Sequence, residues 1–346
     1  MEALSKKSTV YLTHLKQVVT KALSKIPYNL TDMRYLTGQP KYPEQFSWLA
    51  PNMQSLLRSL RQWITFECTA NVGRQIHFHL SSPHKDTPQL RKKLYDRVQQ
   101  CCAWLVMADA YAPARCSTSM HIYMYFTDAK KMLPNKKGDV IDIEHANTAF
   151  TTSCSTNTSI IIFREEEWFK VFIHETFHNL GLDFSSQNIN NLQKSLAQHF
   201  KIRSEMRVYE TYCETWANLL NVLFTQNNWQ MALENERRHS LLQAAKVFKH
   251  FNMSFNDLKT TKATDNFNEN TEVFCYFILR SLWMWNLNRF LEWCLTNNNG
   301  SLQFTGSVNE FVRHMVLNIS VSSDYIAAVA PENATNNKSL RMTLYG

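Results

Sequence analysis

The sequence predicts an α+β protein in which a mixed sheet is followed by a buried helix and a mostly helical C-terminal half. Two observations carry this prediction. Apolar residues alternate with polar ones in the first half, which is typical of strands, whereas from Arg164 onward they recur at helical spacing. The hydrophobic fraction of 44% is that of a globular protein with a sizeable core.

The strands and the first long helix are visible as separate patterns. Residues 63–82, "WITFECTANVGRQIHFHLSS", alternate on both sides of "NVGR" and predict a β-hairpin. Residues 88–111 have helical spacing, and residues 120–128 alternate as a strand does. We expect "HANTAFTTSC" (145–154) to be extended and the β-branched run "SIIIF" (159–163) to be a buried strand.

Polar breaks suggest three consecutive parts. Residues 1–60 are expected to form an N-terminal helical extension, residues 61–260 the main domain, and residues 261–346 a C-terminal helical part with a polar, mobile tail. No G-x-G-x-x-G or G-x-x-x-x-G-K-[ST] motif occurs, which argues against dinucleotide and P-loop nucleotide binding. The net charge of +8 comes from scattered lysines and arginines, so it predicts a solvated basic surface, with nucleic acid kept as an alternative partner.

The cysteines and the N-terminus bear on the compartment. None of the eight cysteines forms a C-x-x-C pair, and the N-terminus has no continuous apolar run. We therefore expect free thiols in a reducing, cytoplasmic compartment and a protein that is not secreted. No segment approaches the roughly 20 apolar residues of a membrane span.

One short segment contains candidate metal-binding and catalytic residues. In "FIHETFHNLGLDF" (172–184), His174 and His178 lie four residues apart on one helical face, where two imidazoles can bind one zinc ion. Glu175 is placed to take a proton from a metal-bound water. Three glutamates beginning at Glu165 are expected in the first turn of this helix, and Gly181 is expected to end it. The alternative is a buried core helix that happens to contain two histidines.

A catalytic zinc site usually has a third protein ligand. A third histidine ten positions after the first is excluded, because that position is Phe184. Asp183 is one residue early, and we expect it to orient a ligand or to cap the turn. Residues 204–224 predict a second helix capped by Ser204, with Glu210 and Glu214 on one face. Glu214 is followed three residues later by Ala217, which resembles the third-ligand helix of the gluzincin metallopeptidases. This resemblance favours Glu214 as the ligand and Glu210 as the carboxylate that orients a ligand histidine.

With these residues in place, the chain resembles the gluzincin group of zincin metallopeptidases. Residues 140–225 more narrowly resemble predicted metallopeptidases of large nucleocytoplasmic DNA viruses. The resemblance implies a zincin-like catalytic domain over residues 61–260, a Zn²⁺ cofactor, a protein or peptide substrate, a role in virion maturation, and a location in host cytoplasm or the particle. His145, Tyr209, Tyr212 and Tyr276 are candidates to stabilise the oxyanion, and His145 is named first.

The expected function is therefore a zinc-dependent endopeptidase with Glu175 as general base. Two alternatives stay open. One is a catalytically inactive zincin-scaffold protein with a structural or binding role in a virion. The other is a protease tethered to nucleic acid by its basic surface. The sequence does not predict the oligomeric state.

Overall fold

The computed structural model describes residues 1–24 and 29–346 and shows an α+β fold with a six-stranded mixed sheet. The strands are β1 (Leu30–Thr37), β2 (Ile64–Asn71), β3 (Gln75–Ser82), β4 (Ser119–Tyr125), β5 (Ala149–Thr151) and β6 (Asn157–Ile162). Their order is β1-β2-β3-β4-β6-β5. The strands β3, β4 and β6 are parallel, whereas the other neighbours pair antiparallel. The predicted α+β class is confirmed, and the zincin-like core stays a prediction.

The helices follow the predicted division into a strand-rich first half and a helical second half. They are α1 (Lys6–Ser24), α2 (Pro51–Ser59), α3 (Pro88–Asp109), α4 (Ile143–Ala146), α5 (Trp168–Asn179), α6 (Asn190–His199), α7 (Val208–Thr225), α8 (Trp229–Phe251), α9 (Thr261–Asn266), α10 (Arg280–Trp285), α11 (Leu287–Asn297), α12 (Val308–Val312) and α13 (Ser323–Ala328). Two π-helical stretches, Phe274–Leu279 and Arg313–Leu317, adjoin α10 and α12. Among the described helices, none combines the length and the apolar composition needed to cross a membrane.

The chain forms two compact units, each assembled from separate segments. The sheet unit contains Leu15–Lys130 and Thr148–Leu182, and the helical unit contains Met1–His14, Lys131–Asn147 and Asp183–Tyr345. Because both units are discontinuous in sequence, they differ from the three consecutive parts expected above. Residues 1–60 are also not purely helical, because β1 pairs with β2 at the edge of the sheet.

The sheet unit shows why the hairpin prediction is correct. β2 and β3 pair in register from Ile64 opposite Ser82 to Asn71 opposite Gln75. Along β3 the fully buried Ile76, Phe78 and Leu80 alternate with half-buried histidines, as a period of two requires. The register is fixed because a slip by one residue would expose this apolar row.

A buried carboxylate, Glu67 on β2, is balanced by three basic groups. Glu67 Oε1 lies 3.0 Å from Lys41 Nζ and 2.9 Å from His79 Nδ1, and Arg34 Nε donates to Oε2 at 2.8 Å. Burial alone would raise the pKa of Glu67, but the hydrogen bonds from Lys41, Arg34 and His79 outweigh it and lower the pKa to about 2. This charge cluster therefore holds β1, β2 and β3 together.

The helical unit fixes the C-terminal segment that was expected to be mobile. Leu133 N donates to Lys338 O at 2.8 Å, and Leu340 N donates to Lys131 O at 2.9 Å. Lys338 and Leu340 lie in the polar tail (331–340) that was expected to be mobile, and both are hydrogen-bonded through their backbone. Beyond this tail, Asn218 Nδ2 of α7 donates to Met342 O at 3.0 Å.

Candidate metal centre

The helix that carries the two histidines is buried along its whole length. Every residue of α5 from Trp168 to Asn179 is buried. It begins one residue after Glu167, whose φ of 62° is left-handed. The glutamates expected in the first turn therefore precede the helix, and Glu165 instead binds Lys93 at 2.7 Å and Arg97. The predicted acidic first turn is wrong because side-chain partners, not the helix dipole, fix Glu165.

The C-terminal end of α5 has the predicted glycine cap. Gly181 has a φ of 62°, which favours glycine because it has no Cβ. Gly181 N donates to His178 O at 3.2 Å, and Leu182 N donates to Phe177 O at 2.9 Å. This pair of bonds is a Schellman motif, and it satisfies carbonyls that a helix end leaves open.

Side-chain hydrogen bonds hold α5 at fixed positions within the sheet unit. Trp104 Nε1 of α3 donates to Thr176 Oγ1 at 2.7 Å. At the end of the helix, Asn179 Nδ2 donates to Thr151 Oγ1 of β5 at 2.6 Å, and the Ser117 hydroxyl donates to Asn179 O at 2.8 Å. The helix is therefore anchored at Thr176, two residues from each histidine, and at Asn179, next to His178. These anchors limit the positions that the imidazole rings can take.

The two imidazoles converge on one point. The Nε2 atoms of His174 and His178 lie 3.2 Å apart, and the rings meet edge to face at 76°. Two nitrogens bound to one tetrahedral zinc at 2.0–2.1 Å lie about 3.3 Å apart, so the pair fits a shared metal ion without rearrangement. Only 4% of His174, 9% of His178 and 8% of Glu175 is exposed, so the intervening glutamate is buried as well.

A disulfide between Cys116 and Cys154 lies against the end of the histidine helix. A Cβ added to Gly181 would lie 3.0 Å from Cys116 Sγ, so the bond packs directly on this glycine. The expectation that all cysteines are free thiols is wrong for these two. Each precedes one of two adjacent parallel strands, β4 and β6, by three residues, and the register that places Ser119 opposite Asn157 therefore brings the two cysteines together.

In the helical unit, α7 carries both candidate glutamates. It begins at Val208, so Ser204 is not its cap, and the Ser204 hydroxyl instead donates to Glu269. Glu210 lies in the first turn and is half-buried. The Tyr276 hydroxyl donates to Glu210 Oε2 at 3.4 Å.

Other carboxyl groups lie near Glu210. Burial first, and then the charge of Glu210, raise the pKa of Glu272 to about 8. Glu269, three residues before Glu272, has its pKa raised by burial to about 7. These carboxyls therefore hold protons near neutral pH, and Arg207 Nη1 lies 3.3 Å from Glu272 Oε1, so the surroundings of Glu210 combine carboxyls with a guanidinium.

Glu214, the ligand favoured from sequence, has a different environment within the helical unit. Its Oε2 lies 3.9 Å from Nη1 of Arg280, and both side chains are almost completely buried. The same Nη1 donates to Asn218 Oδ1 at 2.8 Å and to Met342 O at 2.6 Å. Glu214 therefore has a buried cationic neighbour that offsets its charge.

Asp183 and Phe184 occupy the positions after the glycine turn. Asp183 Oδ1 accepts a hydrogen bond from the Ser185 hydroxyl at 2.9 Å, which is the turn-capping role weighed from sequence. Its Oδ2 lies 3.6 Å from Cys213 Sγ, which donates to it. Phe184 is 1% exposed and packs on Tyr212, so this position belongs to an aromatic core.

His145 has a structural role in the helical unit. It lies in the short helix α4 rather than in an extended segment, and its Nδ1 accepts from Asp142 N at 3.0 Å in a capping box. Tyr212 is also a core residue, because it is fully buried and its hydroxyl donates to Leu302 O at 3.0 Å. Of the candidate oxyanion donors, His145 and Tyr212 therefore already have other hydrogen-bond partners.

The described residues include groups of His, Cys, Asp and Glu side chains whose ligand atoms lie within 4.8 Å of one another and that can hold a metal ion. Members of the buried groups are His174, His178, Asp183, Glu210 and Cys213. Glu214 is in none of the groups found among the described residues, and they do not identify the metal. One further group, His84, Asp128 and Glu165, is largely exposed, and its Glu165 is already paired with Lys93 and Arg97.

Comparison with known proteins finds no matching family model, no matching curated protein and no matching solved structure. The zincin resemblance therefore rests on the residues of this chain, and the family assignment stays a prediction.

Proposed function

We propose that this protein is a zinc-dependent peptidase in which His174 and His178 bind the metal ion. The 3.2 Å separation of the two Nε2 atoms on a fully buried helix is the observation that carries the proposal. Two neutral histidines at this distance can instead form a hydrogen bond, in which one ring donates its N–H to the nitrogen of the other. The neighbouring buried Glu175 favours the metal, because it gives the pair a cation-attracting carboxylate and a general base.

Glu175 is the proposed general base. A bound zinc ion supplies Lewis acidity and lowers the pKa of water at its open position. The Glu175 carboxylate would accept a proton from that water and deliver it to the leaving amine. Burial makes this transfer efficient, because the carboxylate is less well solvated and is held by a rigid helix.

We propose Glu210, rather than Glu214, as the third ligand. Glu210 is a member of a group of side chains that can hold a metal ion, whereas Glu214 is in none of the groups found among the described residues. Glu214 is offset by Arg280, and a guanidinium within 3.9 Å disfavours an additional cation. Glu214 stays the alternative, and the zinc content of matched variants separates the two.

A peptide strand is the proposed form of the substrate. β5 is the last strand of the sheet and pairs antiparallel with β6 on one side. Its other side can accept an extended peptide by strand addition. β6 cannot take this role, because it has β4 on one side and β5 on the other.

The test is metal content and peptide hydrolysis of the purified protein beside matched variants. We expect near-stoichiometric zinc in the wild type, loss of zinc in Glu210→Gln, and retention of zinc in Glu214→Gln and Asp183→Asn. Glu175→Gln should keep zinc and lose hydrolysis of a mixed peptide library by at least about a hundredfold. Glu144→Gln, an exposed glutamate outside every described metal-holding group, is the control.

The outcomes separate the alternatives. Loss of zinc in Glu214→Gln alone keeps the metalloenzyme and reverses the ligand assignment. Full hydrolysis by Glu175→Gln removes the mechanism. If the wild type holds no zinc and takes none up, α5 is a core helix, and a structural or binding role explains the protein better.

A further inference from the structure

A basic cavity lies in the helical unit, outside the proposed metal centre. It has a volume of about 150 Å³ and lies where three segments meet, namely the loop at residues 133–137, the end of α8 and the tail at residues 335–338. Among the residues that the structure describes, four lysines line it, Lys137, Lys246, Lys249 and Lys338, and no Asp or Glu does. The volume is on the order of ten times that needed to hold one water molecule.

The lysine at the floor of the cavity is buried without a counter-ion. Lys246 is 5% exposed, and its Nζ donates to Ser339 O at 2.9 Å. Among the described residues no carboxylate lies within ion-pair distance of it, and this carbonyl is its hydrogen-bond acceptor. An ammonium has three donors, and burying it without a counter-ion is costly. Burial accordingly lowers the pKa of Lys246.

The other lysines bind neutral acceptors and converge on the same space. Lys249 Nζ donates to Ala334 O at 3.3 Å, and Lys338 Nζ donates to Asn135 O at 3.3 Å. Lys137 is exposed at the rim. Beside Lys246, the buried His250 donates through Nε2 to Asp139 O at 2.8 Å, and burial, as the largest cause, lowers its pKa. It therefore acts at the floor as a neutral ring.

We propose that this cavity binds a small anion that carries two or more phosphoryl groups. Four lysines lining one cavity give the positive potential that such an anion needs. Its oxygens would supply further acceptors for the buried Lys246, whose Nζ donates to Ser339 O. The buried floor and the limited volume favour a compact ligand over the backbone of a nucleic acid, which runs along a groove rather than into a cavity.

The test uses pyrophosphate as the probe, in isothermal titration calorimetry at constant ionic strength. We expect Lys246→Met to weaken pyrophosphate binding at least about tenfold, because it removes a charge-assisted donor. The double variant Lys249→Gln/Lys338→Gln should weaken it similarly, and it changes only side chains that are half-buried or exposed. If Lys246→Met does not fold, this double variant still tests whether the cavity binds pyrophosphate.

A matched control lies next to the cavity. Lys136 is exposed and adjacent to Lys137 but does not line the cavity. Lys136→Gln should bind pyrophosphate as the wild type does, whereas Lys137→Gln should bind it more weakly. Equal losses in these two variants would mean that net charge alone is measured, and they would overturn the proposal.

A second arm separates a small anion from a polymer. A single-stranded oligonucleotide is titrated under the same conditions. If it binds through these lysines while pyrophosphate does not bind at millimolar concentration, the small-anion proposal is wrong and the basic surface serves a nucleic acid. Absence of binding by both probes would also overturn it.

Discussion

The glycine at the end of α5 allows a sharp test of how the disulfide supports the helix that carries His174 and His178. In Gly181→Ala, the left-handed φ of 62° costs about 1–2 kcal/mol. The new Cβ would also lie 3.0 Å from Cys116 Sγ and 3.5 Å from Cys154 Cβ. Forcing a methyl group into a packed site costs about 1–3 kcal/mol more. We therefore expect the free energy of unfolding to fall by about 2–5 kcal/mol.

The assay is urea unfolding, and Gly300→Ala is the control. Gly300 has a φ of 69°, close to that of Gly181, and a Cβ added there would lie 3.9 Å from its nearest neighbours, which is ordinary contact. Its substitution carries a similar backbone cost without the close contact, so it should destabilise the protein clearly less. In a Cys116→Ala background, which removes the clashing sulfur, the cost of Gly181→Ala should fall to the backbone part. An equal loss for Gly300→Ala and Gly181→Ala would refute the reasoning.

The remaining predictions concern the disulfide and two unusual carboxyls. Cys154→Ser removes the disulfide, which closes a loop with a sequence separation of 38. Chain entropy alone predicts that the free energy of unfolding, measured in urea, falls by about 4 kcal/mol. An unchanged free energy of unfolding would mean that the bond does not form. Because the pKa of Glu67 is lowered, its contribution is present above about pH 5 and is lost as the pH falls toward 2. Glu67→Gln should therefore lose about 1–2 kcal/mol at pH 7 and show a weaker decline in acid. The pKa of Glu269 is raised to about 7, so stability falls as the pH rises from about 4.5 through 7. Glu269→Gln should remove up to about 3 kcal/mol of that fall between pH 5 and pH 8, and a wild-type slope in the variant would contradict this.

Local patterns predicted the elements that local forces determine. The hairpin of β2 and β3, the helix α3 and the glycine end of α5 all follow from periodicity or from the conformational freedom of Gly181. The predictions were wrong where a residue distant in sequence binds the side chain. Glu165 is bound by Lys93 and Arg97, so it does not enter the first turn of α5.

The disulfide illustrates what sequence spacing alone cannot reveal. Cys116 and Cys154 are 38 residues apart and share no motif. They become neighbours because β4 and β6 are adjacent and parallel, although β5 lies between them in sequence. Strand order is a property of the whole sheet, and a pairing that depends on it is accessible only once that order is known.

The choice of the third ligand depends on a single helical turn. Glu210 and Glu214 lie four residues apart on α7, so both project from one face, about 6 Å apart along the axis. Periodicity ranks them equally, and Ala217 was the sole sequence signal in favour of Glu214. Their neighbours differ, since Glu214 lies beside the buried guanidinium of Arg280, whereas Glu210 accepts a hydrogen bond from the Tyr276 hydroxyl. Because a fixed cation opposes the binding of a second cation beside it, electrostatics disfavours Glu214, and the zinc content of the two glutamine variants decides whether that argument outweighs the sequence pattern.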